Sequence, residues 1–319
     1  MSIKLYKASS FSYTPFANFI EGDLDYLKEN GVEITSSVKD ADIIISQNTK
    51  HFKKYLWEFF LGKKYLIWTL EPRFNTAFNG KLNLLLGLIN CDVMNVYSQD
   101  IFITNISIHS FIINKDLKLI NDDFQLKSKK IIALMSYYKG VNVTPLIRNG
   151  ENIDLIGLRS KVALKGSDLG FIDVYGKGWP EGVSNEDSRD GAWGERKPKL
   201  LEKYHFNFCF ENTASYNYMT EKIWDSIANY CLPIYYGKHT NAYELFPNNS
   251  FIDYSEFNSP EELFDYVNNM SSDEYITRMN KCIEVYIKIK NQNLKLAKDE
   301  RKKVLDKIVE KVKGIKKLR

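Results

Sequence analysis

The sequence has few of the residues that build disulfide frameworks and histidine metal sites. Its 319 residues include four cysteines and four histidines. The cysteines form no CxxC pair, and no two histidines stand in an HxH or HxxxH arrangement. Two of the cysteines lie inside apolar runs typical of strands. We therefore expect buried free thiols in a reducing compartment, without disulfides, zinc ligands or a histidine-based metal site.

Long apolar runs and a strong excess of one charge are also missing. The longest membrane-like stretch, Leu82 to Ile89, is predicted to be helix-like, but it is interrupted by Asn83 and Gly87 and is far too short to span a bilayer. The first residues lack the apolar run of a secretory signal. With 44% apolar and 26% charged residues and a net charge of +4, we expect two ordinary α/β domains. The expected location is cytoplasmic, at most peripheral on the cytoplasmic face of a membrane.

The most informative stretch is residues 206–237, which has the pattern strand, loop, helix, strand. The run FNFCF, residues 206–210, has phenylalanine at every second position and is followed by Glu211 and Asn212. This alternation predicts a buried strand that ends in two polar side chains. Thr220 then precedes the helical pattern EKIWDSIANY as its predicted N-cap. Residues 232–236 form the next predicted strand.

The loop of such a unit lies at the carboxyl ends of the strands, where ligands bind in open α/β sheets. The polar residues there are Glu211, Asn212, Tyr216, Tyr218, Glu221 and Lys222. Carboxylates, an amide and a lysine at a helix N-terminus suit a ligand that carries both hydroxyls and phosphates, such as a sugar nucleotide. The alternative is that these residues only solvate the start of a helix.

The same stretch resembles a family signature. FENTASYNYMTEK at 210–222, followed by Pro233 and Gly237, closely resembles the α1,3/4-fucosyltransferase pattern of FENS, four residues, Y, one residue and TEK. Thr213 stands in place of the serine and keeps its hydroxyl. The resemblance covers mainly residues 129–268.

The resemblance implies an α/β fold of the GT-B type, with two Rossmann-like domains facing across a cleft. We assign residues 1–125 to an acceptor-binding domain, 126–290 to a GDP-sugar-binding domain and 291–319 to a basic amphipathic C-terminal helix. That last segment has 11 basic and 4 acidic residues and an apolar stripe at helical spacing. The stripe either lies on an anionic membrane surface or packs on the N-terminal domain.

The resemblance also implies a reaction, the inverting transfer of L-fucose from GDP-β-L-fucose to a saccharide hydroxyl, with an α1,3-type linkage. Glu71 is the predicted catalytic base, because it follows the predicted strand Tyr65 to Leu70 and precedes Pro72. Asp100 is the runner-up. Two other functions stay open: a transferase that uses another GDP-deoxysugar, and a non-catalytic protein that binds a sugar nucleotide or a glycan.

Lys222 and Arg159 are the predicted ligands of the donor diphosphate, with Arg148 and Lys161 as competitors for the arginine's role. Asn212, Tyr218 and Glu221 are predicted to hydrogen-bond the donor. Charge neutralisation by these cations implies that no metal cofactor is needed, and GDP-fucose enters as a substrate. Asp40 and Asp42 match a DxD metal motif, but they precede a strand, so we expect them to solvate its start. The expected partners are GDP-fucose and a glycan acceptor, without nucleic acid and with possible membrane contact through the C-terminal helix.

Overall fold

The computed structural model describes residues 2–72, 80–97, 101, 113–138, 146–186 and 193–317. The chain divides into two compact units. Unit 1 comprises Met1–Ile108 and Lys295–Arg319, and unit 2 comprises His109–Leu294. The units therefore divide at 108 and 109 rather than at the predicted 125 and 126, and the basic C-terminal segment groups with unit 1 instead of standing alone.

Unit 1 contains a six-stranded sheet in the order β2-β1-β3-β4-β6-β5. Its strands are β1 (Ile3–Lys7), β2 (Val32–Thr35), β3 (Ile43–Ser46), β4 (Lys64–Thr69), β5 (Lys81–Leu84) and β6 (Ile89–Asn95). All neighbouring pairs are parallel except β5 with β6. The central strands β3 and β4 are almost wholly buried, as expected for parallel strands that are covered on both faces.

The helices of unit 1 are short apart from the C-terminal one. Helix α1 is Asp23–Glu29, and 3-10 helices run over Pro15–Ala17 and Thr49–Phe59. Phe52 packs with Tyr65 and Ile67 in a buried cluster on the sheet.

The region 82–89 was predicted to be helix-like, and this is wrong. It forms β5, a 3-10 turn at Leu85–Gly87 and the start of β6. Leu82 and Leu84 alternate with exposed residues and pack against the buried cluster, which is the period of a strand. The run of leucines concealed this alternation.

Unit 2 contains a second six-stranded sheet, in the order β11-β10-β7-β12-β13-β14, with every neighbouring pair parallel. Its strands are β7 (Ile131–Leu134), β10 (Ile172–Tyr175), β11 (Ser184–Glu186), β12 (Phe206–Phe208), β13 (Leu232–Tyr235) and β14 (Ile252–Asp253). A separate hairpin joins β8 (Ile147–Arg148) to β9 (Glu151–Asn152). Each unit is thus an α/β domain of the predicted Rossmann-like class.

The remaining helices are α2 (Ile156–Asp168), α3 (Trp193–Leu201), α4 (Glu221–Ala228), α5 (Ala242–Leu245), α6 (Pro260–Asn269) and α7 (Ser272–Lys317). Helix α6 begins with a capping box, in which Ser259 Oγ accepts from Glu262 N at 3.2 Å. In the segment 251–257, strand β14 covers Ile252–Asp253 and a 3-10 turn follows at Tyr254–Glu256. The polar region 180–196 contains β11 and the start of α3 in its described part.

The C-terminal part of α7 packs on the rest of unit 1. Val304, Ile308 and Val312 on its apolar stripe are fully buried. Arg301 Nε donates to Asp23 Oδ1 at 2.8 Å, and both side chains are buried. Of the two alternatives, the structure shows packing on the N-terminal domain. No helix of the described ranges is long and apolar enough to cross a bilayer.

The four cysteines are free and buried, as predicted. Burial raises the pKa of the Cys209 thiol to about 12, which keeps it protonated and unreactive.

Asp42 accepts from the backbone N–H of Lys4 at 2.9 Å and from the Lys316 ammonium. Because these contacts tie together the amino ends of β1 and β3 and the end of α7, Asp42 has a structural role.

Candidate functional site

The candidate site begins where β12 ends. β12 lies between β7 and β13, and the chain leaves its carboxyl end through Cys209, whose N–H donates to Ile234 O at 3.0 Å. The next residues pair with a segment that leads into α2. Leu155 N donates to Asn212 O at 3.0 Å, and Ala214 N donates to Ile153 O at 2.8 Å. The first turn of α2 is therefore held against the motif.

Glu211 is the buried anchor of the loop that follows β12. Its side chain is 1% exposed. Its carboxylate accepts from the Thr220 N–H at 2.7 Å and from the Thr220 hydroxyl at 2.7 Å. The Lys222 ammonium completes the set, 2.7 Å from Glu211 Oε2 and 2.7 Å from Thr220 Oγ1. Three polar groups thus compensate the buried carboxylate, so Glu211 has a structural role and positions Lys222.

Thr220 differs in detail from its predicted role. It stands at the N-cap position of α4, but its hydroxyl makes no cap hydrogen bond. The hydroxyl instead joins Glu211 to Lys222. The sequence showed a threonine before a helix, and local spacing alone could not reveal that the partner is nine residues earlier.

Lys222 is held as a cation at the start of α4. Burial alone would lower the pKa of its ammonium, but the charges of Glu211 and then Glu221 outweigh burial, so the pKa lies above its ordinary value. Arg159 is close enough for its charge to act in the opposite direction on this pKa. Arg159, in the first turn of α2, and Lys222 thus interact electrostatically, and their role as donor ligands stays a prediction.

The other predicted donor ligands lie around this pair with different exposure. Asn212 is half-buried, and its Oδ1 accepts from the Thr213 hydroxyl at 2.9 Å. Glu221 is half-exposed in the first turn of α4, 3.5 Å from Lys222 Nζ. Tyr218 is only 4% exposed. Tyr216 is exposed, and its hydroxyl donates to Glu244, so it faces away from the buried part of the loop.

Helix α4 is fixed to the sheet by polar contacts beneath the loop. Asn207 Nδ2 donates to Ser226 Oγ at 2.7 Å, and Ser226 Oγ donates to Lys222 O at 2.8 Å. Asp225 forms an ion pair with Lys197, while its burial raises the pKa of its carboxyl. These contacts restrict the position from which Lys222 projects.

A groove of about 800 Å³ runs along the whole of α2, from Ile156 to Asp168. It is lined by residues from three places: Tyr137 and Tyr138 after β7, Gly157, Ser160 and Lys161 of α2, and Ser259 and Pro260 at the start of α6. Arg159 lies in the first turn of α2, next to this groove in sequence, but is not one of its lining residues. No pattern in the sequence indicates this groove, because its walls come from segments that are far apart in the chain.

The two competitors of Arg159 have different positions. Lys161 lines the groove, whereas Arg148 belongs to the β8–β9 hairpin.

The glycine-rich run GKGWPEG follows β10 as a tight turn. A Cβ at Gly176 would lie 2.1 Å from Met135 O, so the glycine permits close packing on β7 rather than binding of a dinucleotide.

Asp253 is a residue that the sequence did not single out. It is 4% exposed and accepts from Gly237 N at 2.9 Å and from the Tyr243 hydroxyl at 2.9 Å. A Cβ at Gly237 would lie 2.4 Å from its carboxylate oxygen. Asp253 therefore fixes the end of the motif, and Gly237 leaves the space that this requires.

The predicted base lies in unit 1. Glu71 is exposed and follows the carboxyl end of β4, as predicted. Its N–H donates to Thr69 Oγ1 at 3.0 Å, and its carbonyl accepts from Asn95 Nδ2 at 2.9 Å. The backbone at this position is thus fixed by side chains of β4 and β6. The runner-up, Asp100, lies outside the described residues.

Comparison with known proteins adds the deciding observation. Residues 158–303, which include Arg159 and the whole motif, match the model of the glycosyltransferase family 10 (fucosyltransferase) C-terminal domain. This segment of the chain is therefore similar to the C-terminal domain of that family. The family 10 domain thus contains all five predicted donor ligands, from Arg159 to Lys222.

Individual relatives match parts of the chain. An α-(1,3)-fucosyltransferase of Helicobacter pylori is 40% identical over 73 residues, which is 23% of this chain and 15% of that protein. The GDP-fucose protein O-fucosyltransferase 3 of Bos taurus is 36% identical over 138 residues, 41% of this chain and 28% of that protein. The matched segments thus span less than a third of these relatives' own lengths.

Among solved structures, an α1,3-fucosyltransferase with GDP is similar at a TM-score of 0.49 and 17% identity. This alignment covers 87% of the present chain and 81% of that chain.

Proposed function

We propose that the protein transfers L-fucose from GDP-fucose to a saccharide hydroxyl. The observation that carries the proposal is that Arg159 and Lys222 interact electrostatically within the segment that matches the family 10 domain, where backbone hydrogen bonds tie the start of α2 to the motif. Two cations in the first turns of two helices suit the diphosphate of a nucleotide sugar. The names of the relatives supply fucose as the sugar.

In the proposed reaction, Glu71 accepts the proton of the acceptor hydroxyl as its oxygen attacks the anomeric carbon. The bond from that carbon to the β-phosphate oxygen breaks, and GDP leaves with the electron pair. Attack opposite the leaving group inverts the anomeric centre and gives an α-linked product. Arg159 and Lys222 stabilise the charge that develops on the diphosphate, so we propose that the reaction needs no metal ion.

The groove beside α2 has room for the nucleoside of the donor. Its lining includes Ile156 and Gly157, shortly before Arg159 in sequence, and Tyr137 and Tyr138 supply aromatic surface. We propose that the base occupies this groove and that the phosphates extend toward Arg159 and Lys222. Asn212 and Glu221 then hydrogen-bond the donor's hydroxyls or phosphates.

The test is turnover of GDP-fucose with a panel of saccharide acceptors, with and without EDTA. The Glu71→Gln variant should lose a factor of about 10²–10⁴ in turnover and keep its affinity for GDP. Glu29→Gln, at an exposed glutamate of the same unit, is the matched control and should keep full activity. Wild-type protein that binds GDP but releases no fucose from GDP-fucose with any acceptor would favour a non-catalytic binding protein. Faster hydrolysis of another GDP-deoxysugar would favour a different donor.

A protein hydroxyl is the second candidate acceptor. The observation that favours it is the match to a protein O-fucosyltransferase, which extends over 138 residues. Peptides that contain serine or threonine therefore belong in the acceptor panel. Transfer to a peptide but to no saccharide would replace the first proposal while leaving the donor site unchanged.

A further inference from the structure

Six large apolar side chains of unit 1 are exposed at one edge of its sheet. One lies in the 3-10 helix before β4, two directly follow that helix, and three lie in the turn between β5 and β6. We call them the apolar edge: Trp57, Phe60, Leu61, Leu85, Leu86 and Leu88. Trp57 is 80% exposed and Leu86 is exposed completely. Single exposed apolar residues are ordinary, but a cluster of this size marks an interaction surface.

The strand pairing places the two groups together. Residues 60–63 lead directly into β4, and the turn leads directly into β6, which is the parallel neighbour of β4 with Tyr65 opposite Cys91. The two groups therefore lie at the amino ends of adjacent strands. Phe59 and Leu84, which precede them, pack against one buried cluster.

The turn holds its leucines in an unfavourable backbone conformation. Leu85 and Leu86 have φ values of 48° and 54°, in the left-handed region that branched side chains rarely adopt. The backbone thus keeps an apolar side chain fully in solvent at a strained position. Strain of this kind is characteristic of sites with a function.

The charges around the apolar edge indicate its partner. Residues 49–64 contain five lysines and one glutamate, a net charge of +4. Lys50, Lys53 and Lys54 are exposed on the 3-10 helix that also carries Trp57. Trp, Phe and Leu flanked by lysines suit the interface of a bilayer that contains anionic lipids. The same positive charge would repel an identical surface of a second copy, since a two-fold interface places equal patches together.

We propose that the apolar edge docks unit 1 on a membrane surface rich in anionic lipids. Trp57, Phe60 and Leu86 enter the interfacial layer, and the lysines contact the headgroups. Glu71 follows the carboxyl end of β4, roughly 20 Å along that strand from the edge, so the docked surface is remote from the predicted base. The proposal does not rest on the proposed transferase function, and it assigns membrane contact to a surface other than the buried stripe of α7.

The experiment is co-sedimentation of the full chain with vesicles of phosphatidylcholine alone and of phosphatidylcholine with 30% phosphatidylglycerol. Wild-type protein should sediment with the anionic vesicles and at least about tenfold less with the neutral ones, and added salt should weaken binding. The double variant Trp57→Ser/Leu86→Ser should lose about tenfold or more in partitioning. Leu294→Ser, at a leucine that is 90% exposed elsewhere, should bind as the wild type does.

Three results would overturn the proposal. The first is absence of wild-type binding to anionic vesicles. The second is equal binding by the double variant, whose fold is checked by an unchanged melting temperature. The third is a dimer in light scattering that the double variant converts to a monomer, which would assign the edge to a second copy of the chain. Equal loss of vesicle binding in Lys50→Glu/Lys54→Glu supports the part assigned to the lysines.

Discussion

At the residue scale, the motif combines two tasks that the sequence alone does not separate. Glu211 and Lys222 both look like ligands in the linear pattern. In the structure Glu211 is buried and holds Lys222 in place, while Lys222 remains partly accessible, with 28% of its side chain exposed. The fully buried carboxylate of Glu211 thus orients the groups around it, and the Lys222 ammonium stays accessible to a ligand.

Replacing Lys222 by alanine should therefore have two effects. GDP affinity should fall about tenfold or more, because a fixed cation is lost. The free energy of unfolding should also fall by about 1–3 kcal/mol, since Glu211 keeps its burial but loses one charged partner. Calorimetric titration with GDP and urea unfolding measure the two effects separately.

Lys238→Ala is the matched control, because Lys238 is a half-exposed lysine in the same unit and pairs only loosely with Glu151, at 3.5 Å. It should leave both quantities unchanged. Unaltered GDP affinity in Lys222→Ala would remove Lys222 from the donor site.

Gly157 offers a test of the groove. A Cβ at this position would meet no atom within 4 Å, so a side chain there projects into open space at the groove. Gly157→Trp should lower GDP affinity by about tenfold or more through occupation of the groove, without loss of stability. Gly157→Ala should bind GDP normally, as alanine is small and favours the helix. GDP binding that is equal in the tryptophan and alanine variants would mean that the nucleoside lies elsewhere.

At the element scale, prediction from sequence succeeded where one local period dominated. The phenylalanine alternation at 206–210 predicted β12, and the apolar positions of 223–227 predicted α4. Prediction failed at 82–89, where leucine occupies positions on both faces and hides the strand period. The groove and the Glu211 cluster could not be predicted, because their partners meet only through the order of strands in the sheet.

The apolar stripe of the C-terminal helix shows a second limit of prediction from sequence. Its period identified an amphipathic helix, but periodicity does not distinguish a protein surface from a membrane as the apolar partner. The buried ion pair between Arg301 and Asp23 identifies unit 1 as the partner of the helix, and these residues lie 278 positions apart in the chain.

This ion pair gives a prediction for helix α7. Asp23→Ala should lower the free energy of unfolding of unit 1 by about 3–5 kcal/mol, because it leaves the Arg301 guanidinium buried without its carboxylate. Lys302→Met removes the neighbouring exposed pair with Asp306 and should cost less than about 1 kcal/mol. Urea unfolding of both variants gives the comparison. Equal losses in the free energy of unfolding for the two variants would show that burial of the Arg301–Asp23 pair contributes nothing to stability.

At the scale of the whole molecule, the chain order and the folding units do not coincide. Unit 1 is completed by residues 295–319, which follow unit 2 in the sequence. The family 10 match ends within α7, at residue 303. The predicted donor ligands Arg159 and Lys222 both belong to unit 2, whereas the predicted base Glu71 belongs to unit 1.

A variant truncated after Leu294 should therefore lose fucose transfer but keep GDP binding. It lacks Val304, Ile308 and Val312, each fully buried in unit 1, and burial of such side chains contributes about 1.5–3 kcal/mol apiece. Their sum is comparable with the whole stability of a domain, about 5–15 kcal/mol, so unit 1 should unfold. Unit 2 should still bind GDP, but transfer of fucose should be lost. Scanning calorimetry with GDP titration tests this: two folded units without 295–319, or loss of GDP binding while unit 2 stays folded, would contradict the assignment.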